Sequence, residues 1–182
     1  LATKTSFSSS LALMAEKMDR NNDILFIYLS SHGSKKHALS MAMPGLALDN
    51  LDAEFFAKAI NDSPVKWKVV VISSCYSGGY IPLLKNESTL VITASSAEKT
   101  SFGCADENEF TYFGEAYFKD ALPESASFIE AFEKAKVIVS QREADKGYTL
   151  SDPQISFSEA ISSQLKKWRE ALLISSIDAD HL

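Results

Sequence analysis

The sequence is poor in residues that staple, ligate or bend a chain: two cysteines, three histidines, five prolines and seven glycines among 182 residues. The two cysteines, Cys75 and Cys104, allow one disulfide at most, and a domain of this size does not need it. Three histidines (His32, His37, His181) without a Cys-x-x-Cys pair lack the spacing of a zinc site, so neither a metal nor another cofactor is expected. Basic runs stop at two residues and the net charge is −6, which disfavours nucleic acid as a partner. No apolar run approaches the ~18 residues of a membrane span. No basic start feeds an apolar stretch, so no secretory signal is read. Disorder is disfavoured too, because 46% of the residues are hydrophobic and 23% charged.

What is present is a succession of apolar patterns. Leu11, Met14, Ala15 and Met18 recur at helical spacing after Ser8-Ser9-Ser10, which predicts a helix capped by that serine run and ended by Asn21-Asn22-Asp23. Residues 24–29 are continuously apolar, the pattern of a strand buried on both faces. A Pro44-Gly45 turn between short flanks predicts a hairpin within 34–49. A helix is expected over 51–60, with Phe55, Phe56, Ala59 and Ile60 inward. Further buried strands are read at 67–72 and 89–94. Three more helical patterns follow: Phe110, Phe113, Gly114 and Tyr117, stopped near Pro123; Phe128, Phe132, Ala135 and Val139; and Ile161, Leu165, Trp168 and Leu172.

Strands alternating with helices predict an α/β layer fold with a mainly parallel sheet, as one domain over 1–182. Three strands are few for such a sheet, and the chain opens at Leu1-Ala2-Thr3-Lys4 without an initiator methionine. Together these predict that one or more N-terminal strands lie outside this sequence.

Two of the strand patterns end in chemistry. Ile27-Tyr28-Leu29-Ser30-Ser31-His32-Gly33 delivers a histidine where the apolar run stops, and Val70-Val71-Ile72-Ser73-Ser74-Cys75-Tyr76-Ser77-Gly78-Gly79 delivers a cysteine. Ligands bind beyond the carboxyl ends of strands in an open parallel sheet. A right-handed crossover through the intervening helix would set these two strands parallel and adjacent, about 4.8 Å apart. An ordinary thiol, with a pKa near ~8.5, is only a few per cent ionised at neutral pH, so an imidazole beside it matters. The histidine can take the thiol proton or give one to a leaving amine. Gly33, Gly78 and Gly79 leave room for substrate, and amides near Gly33 and Cys75 can stabilise an oxyanion.

Blander readings compete. A lone buried cysteine or a lone histidine before glycine is usually structural; the two at equivalent strand ends are not so easily dismissed. His37, after Lys35-Lys36, is expected in solvent, and His181 in the tail is expected to be inert. Cys104 lacks an evident activating neighbour and reads as a structural or loop residue. Ser74 and Ser77 are alternative nucleophiles, but the Gly-x-Ser-x-Gly elbow is missing. Ser77-Gly78-Gly79-Tyr80 is a poor phosphate loop, without Gly-x-Gly-x-x-Gly or a P-loop lysine.

At these positions the chain resembles the legumain-like cysteine peptidases, peptidase family C13, of the caspase-like clan. The resembling residues are Ser31-His32-Gly33 and Ser74-Cys75-Tyr76-Ser77-Gly78-Gly79, then Ile92-Thr93-Ala94-Ser95-Ser96, Thr100-Ser101-Phe102-Gly103-Cys104 and Thr111-Tyr112-Phe113-Gly114-Glu115. They span roughly residues 20–120 in order. The resemblance implies a caspase-like three-layer sandwich, with Cys75 as nucleophile and His32 as general acid/base. It implies an oxyanion hole from the amides of Gly33 and Cys75. Thr100, Ser101 and Glu115 would map onto the pocket for the residue before the scissile bond, usually Asn or Asp. Legumains carry Glu two residues before the nucleophile, where Ser73 stands here, and their pocket uses an arginine from an N-terminal segment with no counterpart in this sequence. An acidic group without its basic partner would favour Asn or even a basic residue.

The expected activity is therefore cysteine-type endopeptidase cleavage of a peptide or protein substrate. A transamidase or transpeptidase shares the same acyl-enzyme, and a catalytically silent caspase-like scaffold is the rival from another class.

Overall fold

The computed structural model describes residues 3–42, 45–46, 48–104 and 109–179, with side chains in the last helix described to Leu173. Helix α1 (Lys4–Lys17) starts earlier than the serine run predicts. The Thr3 hydroxyl accepts from the Ser6 amide at 3.0 Å and the Ser6 hydroxyl accepts from the Thr3 amide at 2.9 Å. This reciprocal cap satisfies two amides that would otherwise be orphaned, so Ser8-Ser9-Ser10 fall inside the helix. Its buried face is narrow, Leu11 and Ala15, while Met14 is exposed.

Strand β1 (Ile24–Ser30) follows. It is not buried on both faces as its apolar run suggests: Leu25 is 1% exposed, but Phe26 is 39% and Tyr28 41%. Among the described residues β1 pairs on one side only, and Phe118 and Phe128 cover its outer aromatics incompletely. Short strands β2 (Ala38–Leu39) and β3 (Leu51–Asp52) pair antiparallel, which sets the hairpin further out than the expected turn. Pro44 of that turn lies outside the described residues. Asp52 then caps α2 (Ala53–Asp62), its carboxylate accepting from the Phe55 amide at 2.8 Å, so Leu51 belongs to the strand and not to the helix.

Strand β4 (Trp67–Ser73) leads through a 3₁₀ turn, Ser77–Tyr80, into α3 (Ile81–Leu84) and β5 (Thr89–Thr93). The next helix begins at α4 (Tyr112–Gly114), capped by Thr111, so Phe110 lies before it. It widens into a π-helical turn, Glu115–Ala121, and a 3₁₀ turn, Leu122–Glu124. Helix α5 (Phe128–Asp145), strand β6 (Gln154–Ser156) and helix α6 (Glu159–Ala179) complete the described chain.

The main sheet runs β1-β4-β5-β6, with β1, β4 and β5 parallel and β6 antiparallel. Because successive side chains in a strand point to opposite faces, β4 feeds two cores. Val70 and Ile72 pack with Leu11, Phe56 and Ile60 on one side; Val69 and Val71 pack with Phe113, Tyr117, Phe132 and Val139 on the other. Fully burying each such side chain is worth about 1.5–3 kcal/mol, which holds helices on both faces and makes three layers. No described helix is long and apolar enough to cross a membrane.

Candidate active site

Pairing in register brings the two strand ends together. Ser30 of β1 sits opposite Ser73 of β4, and the Ser31 amide still donates to the Ser73 carbonyl at 3.3 Å. His32 and Cys75 therefore leave the sheet at matching positions. Contact between the two turns is direct: a Cβ on Gly33 would lie 2.0 Å from the Cys75 carbonyl oxygen. Only glycine permits that approach. The amides of Gly33 and Cys75 donate to no acceptor among the described residues.

His32 is exposed and lines a cleft of about 770 Å³, with Tyr28, Cys104, Thr111, Phe118 and Lys119 among its walls. The half-buried thiol of Cys75 turns toward the backbone of Ser101. It accepts from the Ser101 amide at 3.3 Å and from the hydroxyl at 3.8 Å, and itself reaches the Ser101 carbonyl at 3.4 Å. Among the described residues His32 is not a hydrogen-bond partner of this thiol.

A buried serine lattice fixes the cysteine turn against the neighbouring strand. The Ser95 hydroxyl donates to the Ser74 carbonyl at 3.0 Å and accepts from the Ser77 amide at 3.1 Å, while the Ser95 amide donates to the Ser77 hydroxyl at 3.1 Å. Ser77 is thereby committed to structure, and the Ser74 hydroxyl donates to the Cys75 carbonyl. Neither serine is presented as a nucleophile. Gly78 packs on the Ala97 amide and Gly79 on the ring of His37, so these glycines serve close packing. His37 is accordingly not the solvated side chain its lysine neighbours suggest. Its Nδ1 lies 2.9 Å from the Tyr76 carbonyl oxygen, a contact across 39 residues that local charge pattern cannot reveal.

The remaining expected site residues divide. Thr100 is exposed beside the thiol-bearing turn and Ser101 holds the sulfur. Ser73 is 1% exposed, its hydroxyl 2.9 Å from that of Thr111, which also caps α4 and walls the cleft; it lies beneath the site. Glu115 is not the acid without a basic partner that the sequence suggests. Lys119 meets it at 2.9 Å and Arg142 of α5 at 3.2 Å, and Arg142 also binds Asp120 at 2.8 Å. The hydrogen bond from Lys119, then the charge of Arg142, hold the Glu115 carboxyl below the usual range. Lys119 lines the cleft, as does Gly114 next to Glu115 in the chain.

Both cysteines are free thiols. Cys104 lines the cleft that His32 lines, and burial, with the nearby Cys75 charge adding, pushes its thiol up. Among the described residues no group of three His, Cys, Asp or Glu is placed to hold a metal ion. His181 lies outside the described residues.

A three-layer α/β sandwich whose adjacent parallel strands end in a His-Gly and a Cys turn defines the caspase-like class of cysteine peptidase folds. Residues 9–164 match the model of the peptidase C13 family, and the chain belongs to that family. Among solved structures the chain is similar to one titled as caspase-1 from Spodoptera frugiperda, with a TM-score of 0.60 and 16% identity, covering 85% of this chain and 68% of that one. That likeness establishes the fold. A comparison with curated proteins gives no match.

Proposed function

We propose that this chain is a cysteine-type endopeptidase in which Cys75 attacks a peptide carbonyl and His32 moves the proton. The observation that carries the reading is the contact of Gly33 with the Cys75 carbonyl, which locks the His and Cys turns side by side. The thiol proton passes to His32, and the thiolate, stabilised by the Ser101 amide, forms the C–S bond. Negative charge on the carbonyl oxygen is met by the amides of Gly33 and Cys75. His32 then protonates the leaving amine as the C–N bond breaks. Water releases the acyl group, giving its proton to His32 and regenerating the thiol. The His32–Cys75 hydrogen bond forms when substrate closes the site, since such bonds are often long in the free enzyme.

Thr100 and Ser101 flank the residue before the scissile bond in this reading, with Ser73 supporting that pocket from below. Glu115 is neutralised by two cations and Lys119 faces the cleft, which favours Asn or Asp there over a basic residue. The test is cleavage of a peptide library with product mapping, with and without an added amine. Hydrolysis after Asn or Asp is expected, abolished in Cys75→Ala and lowered roughly 10²–10⁴-fold in His32→Ala. Amide transfer in place of hydrolysis would convert the reading to a transpeptidase. Full activity in Cys75→Ala would overturn it, and no turnover by folded protein would favour a scaffold.

A further inference from the structure

The residue after the candidate nucleophile is held in an unusual conformation. Tyr76 has φ 58°, in the left-handed region that costs any residue with a Cβ, so its surroundings must hold it there. Both of its peptide groups are gripped. Its amide donates to the Lys99 carbonyl at 2.8 Å, and its carbonyl accepts from the Gly79 amide at 3.3 Å and faces His37 Nδ1, the shorter contact, at 2.9 Å. A carbonyl only accepts, so Nδ1 carries the hydrogen, and both the neutral ring with hydrogen on Nδ1 and the imidazolium supply it.

Space for the ring is made by Gly79. A Cβ there would lie 2.2 Å from Nδ1, 2.3 Å from Cγ and 2.4 Å from Cε1. His37 comes from the tight turn that follows His32-Gly33: its amide donates to the Ser34 carbonyl at 2.8 Å, and its own φ is 54°. One short loop therefore carries the candidate base at its start and, at its end, a clasp on the nucleophile's turn.

We infer that His37 is a positioning residue: its Nδ1–H, seated on Gly79, holds the Tyr76 carbonyl and so fixes the turn that aims the Cys75 thiol and amide at substrate. The inference rests on Cys75 being the nucleophile. Displacements of about 1 Å in such a site cost up to 10²-fold in rate without weakening substrate binding in proportion.

The test uses substitutions that tolerate a positive φ at position 37. His37→Asn keeps a donor where Nδ1 stands; His37→Gly removes it. In the full chain, His37→Gly is expected to lower kcat roughly 10–100-fold with KM nearly unchanged, and His37→Asn to restore most of kcat. Gly79→Ala, which drives the ring out, is expected to give a similar loss of kcat in the wild-type background. In the His37→Gly background it should add nothing, because the ring it displaces is gone. Circular dichroism at the assay temperature confirms that each variant is folded. Wild-type kcat in folded His37→Gly, equal losses in His37→Gly and His37→Asn, or additive losses in the double variant each overturn the inference while Cys75→Ala remains inactive. Turnover surviving in Cys75→Ala, or missing in the wild type, overturns the peptidase reading and this inference with it.

Discussion

Gly33, Cys104 and Glu115 each translate a local contact into something measurable. A methyl on Gly33 meets a backbone carbonyl 2.0 Å away, not a flexible side-chain end, so the two turns must separate to admit it. Gly33→Ala is expected to cost about 1–3 kcal/mol in denaturant unfolding and to lose turnover beyond that stability loss. Burial pushes the Cys104 thiol up, so its alkylation should require higher pH than an ordinary thiol, and mass spectrometry should find Cys75 modified before it. Glu115 gains ionised-state partners on folding. Its carboxyl is lowered, so its contribution to stability is present above the ordinary carboxylate value and lost as pH falls through the lowered one. Both of its cationic partners, Lys119 and Arg142, are partly solvated, which keeps that contribution small. Glu115→Gln should flatten the acid limb of the unfolding midpoint and, by freeing Lys119, shift selectivity from Asn toward Asp. That the turns carrying His32 and Cys75 meet was legible because a small-residue turn ended each apolar run. His37 and Arg142 were not, since each finds its partners across tens of residues and neither leaves a mark on local spacing.

Among the elements, those buried on both faces were the readable ones. The runs at 67–72 and 89–94 match β4 and β5 because side chains of alternating direction enter two separate cores. The same reading overstates β1, whose Phe26 and Tyr28 side has partial cover. Strand β6 escaped notice because its three residues, Gln-Ile-Ser, carry no apolar run and exist as a strand only through pairing with β5. Caps moved helix starts for a local reason: Thr3 with Ser6 and Asp52 with Phe55 satisfy amides that neighbouring positions do not. Asp52 also pairs with Lys4, and hydrogen bonds from that lysine and the Phe55 amide lower its carboxyl. Asp52→Ala should destabilise the chain by about 1 kcal/mol, and Asp52→Asn by less, since it keeps the cap and loses the ion pair. The difference between Asp52→Asn and wild type should vanish as pH falls through the lowered Asp52 value, because the charged form alone gains from Lys4, whereas Asp52→Ala still lacks the cap. Chemical denaturation across acid pH reads all three.

At the scale of the molecule, the sheet sets two strand ends beside each other, and both ends lie within residues 9–164, the stretch matched to the family. The packing that locks them is shared among β1, β4, the serine lattice and the loop carrying His37, so the site is a property of the fold and not of one segment. The central claim is that Cys75, served by His32, is the nucleophile of that site. Its most direct test is covalent capture: peptides bearing an electrophile after Asn, Asp or Arg are incubated with the protein and the modified residue is mapped by mass spectrometry. The account predicts labelling at Cys75 by the Asn or Asp peptide, lost in His32→Ala while the fold is retained. Labelling of Cys104 or a serine in preference to Cys75, or undiminished labelling in His32→Ala, would contradict it.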